Sequence, residues 1–139
     1  MPTGEECTAK ESGMARILVV DDDPDLLTLI GIQLRHHGHR VVTASGGKEA
    51  LEIVAEKGAP DVAVLDVAMP EMNGLELLQR LRARDDAAEL PAIFLSARVA
   101  PADISAGEAL GAVYLTKPYV MRALLAAIDR LVVPAASGW

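Results

Sequence analysis

The chain predicts an α/β domain: a doubly wound sheet of five parallel strands covered by five helices. Three observations predict it. Five short apolar runs alternate with longer stretches of helical periodicity. Three of those runs, at 17–20, 62–65 and 92–95, are apolar throughout rather than alternating, the pattern of strands covered on both faces. The links are short, so strands joined through helices pair in parallel with right-handed crossovers. At 139 residues the chain has the size of one domain and needs neither disulfides nor a structural metal to bury a core.

Residues 1–15 are polar, small and aperiodic and read as a disordered tail ahead of a domain spanning 16–133. The first strand runs over 17–20. Asp23 before Pro24 is an N-cap followed by proline at the first helical position; Leu26, Leu27, Ile30 and Leu34 then recur at three and four until Gly38 stops the helix. Arg40–Ala44 is the second strand. Ser45 opens the second helix, with Ala50, Leu51 and Val54 inward and Gly58, Ala59 and Pro60 at its end. After the third strand, Asn73 caps a helix carrying Leu75, Leu77, Leu78 and Leu81. The fourth strand leads to a weaker helix over 101–110, Ala-rich and interrupted by Gly107. A fifth strand at 113–115 and a fifth helix at 121–133, with Leu124, Leu125, Ile128 and Leu131, complete the pattern, and 134–139 is a tail.

Composition narrows the function. Thirteen Lys and Arg against twenty Asp and Glu leave a net charge of −7, which argues against an electrostatic grip on nucleic acid or an anionic bilayer. No apolar run approaches the ~20 residues of a membrane span, and the N-terminus has no basic stretch followed by an apolar block. The single cysteine, Cys7, excludes a disulfide framework. A cytoplasmic domain without direct nucleic-acid or membrane contact is expected. His36, His37 and His39 lie at the turn between the first helix and second strand, away from the carboxyl ends of the strands, and read as solvated surface groups. Gly46, Gly47 and Lys48 do not form a nucleotide loop, because Val42 and Glu49 stand where that pattern needs glycine and Ser or Thr.

Chemistry in such a sheet belongs at the carboxyl ends of its strands. The first strand ends in Asp21, Asp22 and Asp23, and capping employs only Asp23. Two carboxylates ~5 Å apart repel by roughly 3 kcal/mol at an effective dielectric near 20, so something must compensate. The third strand ends at Asp66, and in a doubly wound sheet the first and third strands are neighbours, which brings Asp66 beside Asp21 and Asp22. Three acids without histidine or cysteine suit Mg²⁺, or Mn²⁺, rather than zinc. Ser96 and Lys117, at the ends of the fourth and fifth strands, add a hydroxyl and a compact cation suited to phosphate. Together these groups are equipped for phosphoryl transfer to Asp66.

The stretches ILVVDDDPDLL (17–27), ASGGKEAL (44–51), VLDVAMPEMNGLELL (64–78), FLSA (94–97) and YLTKPY (114–119) resemble, in order and approximate spacing, the receiver domain of bacterial two-component response regulators. The resemblance implies a flavodoxin-like fold, with Asp66 as phosphoacceptor. It implies that Asp22, Asp66 and the Ala68 backbone carbonyl ligate Mg²⁺, with Asp21 acting through a metal-bound water. Lys117 would pair with Asp66 and then with the phosphoryl group, Ser96 would hydrogen-bond a phosphoryl oxygen, and the Lys117–Pro118 bond would be cis. Tyr114 would turn inward on phosphorylation and reshape the face formed by the fourth helix, fifth strand and fifth helix. Ala68 and Arg98, two residues beyond Asp66 and Ser96, would flank the phosphoryl group.

By the same resemblance the donor is a histidine kinase or a histidine phosphotransfer protein and the readout is contact with a downstream protein. The protein is expected to be a stand-alone, single-domain receiver, with a fragment of a longer regulator as the alternative, a monomer or weak dimer, and not an enzyme acting on a separate substrate. Two other classes bear on the same residues. A degenerate receiver would serve only as an interaction module, against which the complete set Asp21, Asp22, Asp66, Ser96 and Lys117 speaks. An aspartate-nucleophile phosphohydrolase of the haloacid-dehalogenase type would carry a second acid two residues after the nucleophile, where this chain has Ala68.

Overall fold

In the computed structural model, which describes residues 15–97, 105 and 108–132, the apolar runs form one five-stranded sheet. The strands are β1 (Arg16–Val20), β2 (Arg40–Ala44), β3 (Val62–Leu65), β4 (Ala92–Ser96) and β5 (Val113–Thr116). Their order is β2-β1-β3-β4-β5, and every neighbouring pair is parallel. The helices are α1 (Pro24–His36), α2 (Gly47–Lys57), α3 (Gly74–Arg82) and α4 (Met121–Leu131), with a 3₁₀ turn at Asp85–Ala87 that the sequence pattern did not reveal. Of the helix expected over 101–110, residues 105, 108 and 109 are helical, and most of the rest lies outside the described residues, as do Cys7, Arg98 and the tail 134–139.

Alternation along the strands divides the core into two layers. Leu18, Val20, Ala63, Leu65 and Phe94 face α2 and α3 and pack with Ala50, Val54, Leu77, Leu78 and Leu81. Ile17, Val19, Val62, Val64, Ile93 and Leu95 face α1 and α4 and pack with Leu27, Ile30, Leu34, Leu124 and Ile128. β1 from Ile17 onward, β3 and β4 are buried along their whole length, which is why those runs are apolar without interruption. β5 is an edge strand and only half-buried.

The helix ends follow local chemistry. The Asp23 carboxylate accepts from the N–H groups of Asp25 and Leu26, and the Asn73 side chain accepts from that of Glu76 at 2.8 Å. Such caps contribute about 1 kcal/mol each. The second helix begins later than Ser45: its N-cap is Gly46, whose extended backbone has no side chain to offer. Ser45 instead donates both its N–H and its hydroxyl to the Glu49 carboxylate, at 2.7 and 2.8 Å. That partner four residues on diverts Ser45 from capping.

Among the histidines, His36 and His37 are exposed, but His39 is buried. Its Nδ1 accepts the N–H of Ala15 at 3.0 Å, and Ala15 in turn accepts from the N–H of Arg40 at 2.9 Å. The residue before β1 is thereby tied to the start of β2. None of the described helices is long and apolar enough to cross a membrane.

Candidate functional site

The site begins with register. Val20 pairs with Leu65, so the residues that follow them, Asp21 and Asp66, leave the sheet side by side. The Asp66 N–H donates to the Val20 carbonyl at 2.9 Å and the Asp21 N–H to the Ala44 carbonyl at 3.2 Å, which fixes both backbones. Side-chain oxygens of Asp21, Asp22 and Asp66 all lie within 4.8 Å of one another. Asp21 and Asp66 are buried, whereas Asp22 is exposed.

Lys117 follows β5 and reaches this cluster. Its Nζ lies 2.7 Å from Asp21 Oδ2 and 3.5 Å from Asp66 Oδ2. The lysine expected to pair with Asp66 therefore engages Asp21 more closely. Burial opposes its charge, but the hydrogen bond and charge of Asp21, together with Asp66, more than offset that and raise its pKa above the ordinary lysine value. Both Asp21 oxygens are engaged: the other, Oδ1, accepts the Asp23 N–H at 2.9 Å. The turn from β1 into α1 thus draws on Asp21 as well as on Asp23, which the sequence pattern did not anticipate.

Asp66 is left less well compensated. Burial and then the charge of Asp21 push its carboxyl up to about 6, against partial relief from Lys117 and from the Ala68 N–H, which donates to Oδ1 at 3.2 Å. A buried carboxylate held this high beside two further acids is a strained arrangement in which a cation relieves repulsion. Only oxygen donors converge here, so the residues fit a hard divalent ion such as Mg²⁺.

Ser96 ends β4, is fully buried, and pairs in register with Thr116; its carbonyl accepts the Lys117 N–H at 2.9 Å. Tyr114 stands opposite Phe94 across β4 and β5, ring centroids 6.1 Å apart. The Lys117–Pro118 peptide bond is cis. Just beyond it, the Tyr119 hydroxyl donates to Gln33 Oε1 and anchors this loop on α1. Asp21, Asp22, Asp66, Ser96 and Lys117 thus share one rim of the sheet, Ala68 lies on the loop beside Asp66, and Tyr114 lies in β5 three residues before Lys117.

Two glycines shape the site without contributing a functional group. At Gly74, the first residue of α3, a Cβ would stand 2.4 Å from the Asp66 carbonyl oxygen, and the Gly74 N–H donates to the Val67 carbonyl at 3.0 Å. At Gly47, the first residue of α2, a Cβ would stand 2.6 Å from Met72 Sδ. The first seats the start of α3 against the Asp66 backbone at the end of β3, and the second seats Met72 of the 67–73 loop against α2. The only sequence signal was glycine directly after the helix cap, which serves equally well in an unremarkable helix start.

A doubly wound sheet with three carboxylates and a lysine gathered at its switch point defines the class, a receiver-type signalling domain. Residues 17–129 match the response regulator receiver domain, and the chain belongs to that family, whose members are phosphoacceptor signalling domains. It is 43% identical over 117 residues to the transcriptional regulatory protein PrrA of Mycobacterium tuberculosis, covering 84% of this chain and 49% of that protein. It is likewise 43% identical over 117 residues to the response regulator MprA of Mycobacterium leprae, covering 84% of this chain and 50% of that one. The chain therefore spans about half the length of these curated relatives. The chemotaxis protein CheY4 of Vibrio cholerae superposes with a TM-score of 0.79 at 32% identity, over 86% of this chain and 99% of that one.

Proposed function

We propose that Asp66 accepts a phosphoryl group from a histidine kinase or histidine phosphotransfer protein, in a reaction that depends on Mg²⁺. The observation that carries this reading is the buried Asp66 carboxylate, flanked by Asp21, Asp22 and Lys117 at one rim. Its pKa of about 6 leaves it largely ionised at neutral pH, as a nucleophile must be. An Asp66 oxygen attacks phosphorus in line; the P–N bond of the phosphohistidine breaks, and the departing imidazole takes up a proton. Asp22, Asp66 and the Ala68 carbonyl would hold Mg²⁺, with Asp21 acting through a water. When bound, the ion supplies positive charge against the equatorial phosphoryl oxygens.

Lys117 stands within reach of the same oxygens and exchanges its contact with Asp66 for one with the phosphoryl group. Ser96 offers its hydroxyl to another phosphoryl oxygen. The acyl phosphate bears about −1.5 to −2 charges where the Asp66 carboxylate bore a single one, and it adds three acceptor oxygens to the rim. Tyr114 then turns inward, and the face made by the 101–110 segment, β5 and α4 is reshaped for contact with a downstream protein. The small Ala68 side chain leaves room for the water that later hydrolyses the acyl phosphate. No separate substrate is turned over, and this domain contacts protein rather than nucleic acid or membrane, as a monomer or weak dimer. We take 16–133 as the extent of the receiver domain.

Intact mass after incubation with Mg²⁺ and acetyl phosphate tests the reading. One labile phosphoryl adduct is expected on the parent chain, none on Asp66→Asn, and none on the parent in excess chelator. An adduct that persists on Asp66→Asn moves the acceptor elsewhere. No adduct on the parent leaves an interaction module, and multiple turnover of simple phosphate esters favours the hydrolase.

A further inference from the structure

Arg82, the last residue of α3, is half-buried and satisfied by backbone alone. Its guanidinium donates twice to the Leu90 carbonyl, from Nε at 3.1 Å and Nη2 at 2.8 Å, and once to the Leu110 carbonyl, from Nη1 at 2.6 Å. No carboxylate pairs with it among the described residues, in contrast to Arg80, which pairs with Glu76, and Arg84, which pairs with Asp86. Leu90 leads into β4. Leu110 leads into β5 through Gly111, which takes a φ of 73° and donates its N–H to the Glu108 carbonyl at 2.9 Å. One cation therefore joins the end of a helix to the approaches of two adjacent strands.

We propose that Arg82 is a conformational tie: it holds the Leu110–Gly111 turn in its unphosphorylated arrangement, and its contact with Leu110 must yield before β5 and Tyr114 shift. The second half of this inference rests on the phosphoacceptor reading of Asp66. β5 pairs with β4 alone and is half-buried, so a contact at its start bears directly on its position. Tyr114 lies three residues past Gly111. Two bonds to Leu90 fix the planar fork, leaving the remaining amine aimed at Leu110. A charge-assisted bond in a half-buried place, made in one of two states, biases the equilibrium toward that state. Lysine, a point charge without the fork, cannot hold both carbonyls in this geometry.

Amide exchange on the whole chain, with no phosphoryl donor, tests the tie. In Arg82→Met, amides 110–116 should exchange roughly tenfold faster than in the parent while β1 and β3 stay unchanged, with Arg82→Lys between the two. The chain has two tyrosines, so 3-fluorotyrosine labelling gives two resonances, assigned with Tyr119→Phe. In unphosphorylated Arg82→Met the Tyr114 resonance should move toward the position it takes in the phosphorylated parent. Unchanged exchange at 110–116, or acceleration spread evenly over all strands, overturns the tie. Local acceleration with a stationary Tyr114 resonance overturns its link to the switch. A parent that takes no phosphoryl group overturns the reading of Asp66 instead, and the exchange measurement still decides the tie.

Discussion

At Asp66 the folded chain holds a proton more tightly than the unfolded chain does, since burial and the charge of Asp21 raise its carboxyl from 3.8 to about 6. Ionising it therefore costs stability as pH rises through that window, by at most about 3 kcal/mol above pH 6, and costs nothing below the unfolded value. Asp66→Asn should accordingly be more stable than the parent by about 1–3 kcal/mol at pH 7.5 without divalent metal. The difference should shrink to about 0.5 kcal/mol at pH 4 and vanish by about pH 3, and urea denaturation across that range reads it. A parent as stable as the variant at pH 7.5 would show that the carboxylate is not strained. His39 acts with the opposite sign. Burial, the largest influence, with a smaller one from His37, lowers its pKa against the charge of Asp129. The unfolded chain then binds that proton first, and stability falls as pH drops below about 6.5. The position of His39 was not legible: a histidine among His36, His37 and Arg40 reads as surface, and only folding shows its Nδ1 meeting the Ala15 N–H.

Among the elements, α3 matters most to the site because it begins against Asp66, the proposed acceptor. A Cβ at Gly74 collides with the Asp66 carbonyl at 2.4 Å, and backbone cannot rotate aside as a flexible side chain can. Gly74→Ala should cost about 1–3 kcal/mol by overpacking. By displacing Asp66 from Lys117 and the other acids, it should also slow phosphorylation by acetyl phosphate about 10- to 100-fold. Gly46→Ala is the control: a Cβ there meets nothing within 4 Å and the backbone is extended, so its rate should stay near the parent's. Equal rates for the two variants would remove the positioning role from Gly74. Caps and apolar faces were legible because their signals are local: Asp23 before Pro24, Asn73 before a leucine stripe. The close approaches at Gly47 and Gly74 were not, since the atoms they admit, Met72 Sδ and the Asp66 carbonyl, belong to another element. Arg82 was hidden likewise, as a basic residue in the last turn of a helix that finds its carbonyls 8 and 28 residues further on.

For the whole molecule, uninterrupted apolar runs required strands covered on both faces, and that requirement led to the parallel sheet and to β1 and β3 as neighbours. The convergence of Asp21, Asp22 and Asp66 follows from that topology alone. The detailed pairing did not: Lys117 lies nearer Asp21 than Asp66 because side-chain reach across a strand end is a matter of ångströms. The network leaves one buried carboxylate, Asp66, incompletely neutralised, and the account depends on that group being the acceptor. Borohydride reduction after treatment with acetyl phosphate and Mg²⁺ reads this most directly, because it converts an acyl-phosphorylated aspartate to homoserine, which peptide mass mapping then locates. The account predicts homoserine at position 66 alone; homoserine at Asp21, at Asp22 or at any other acid, with residue 66 unmodified, would contradict it.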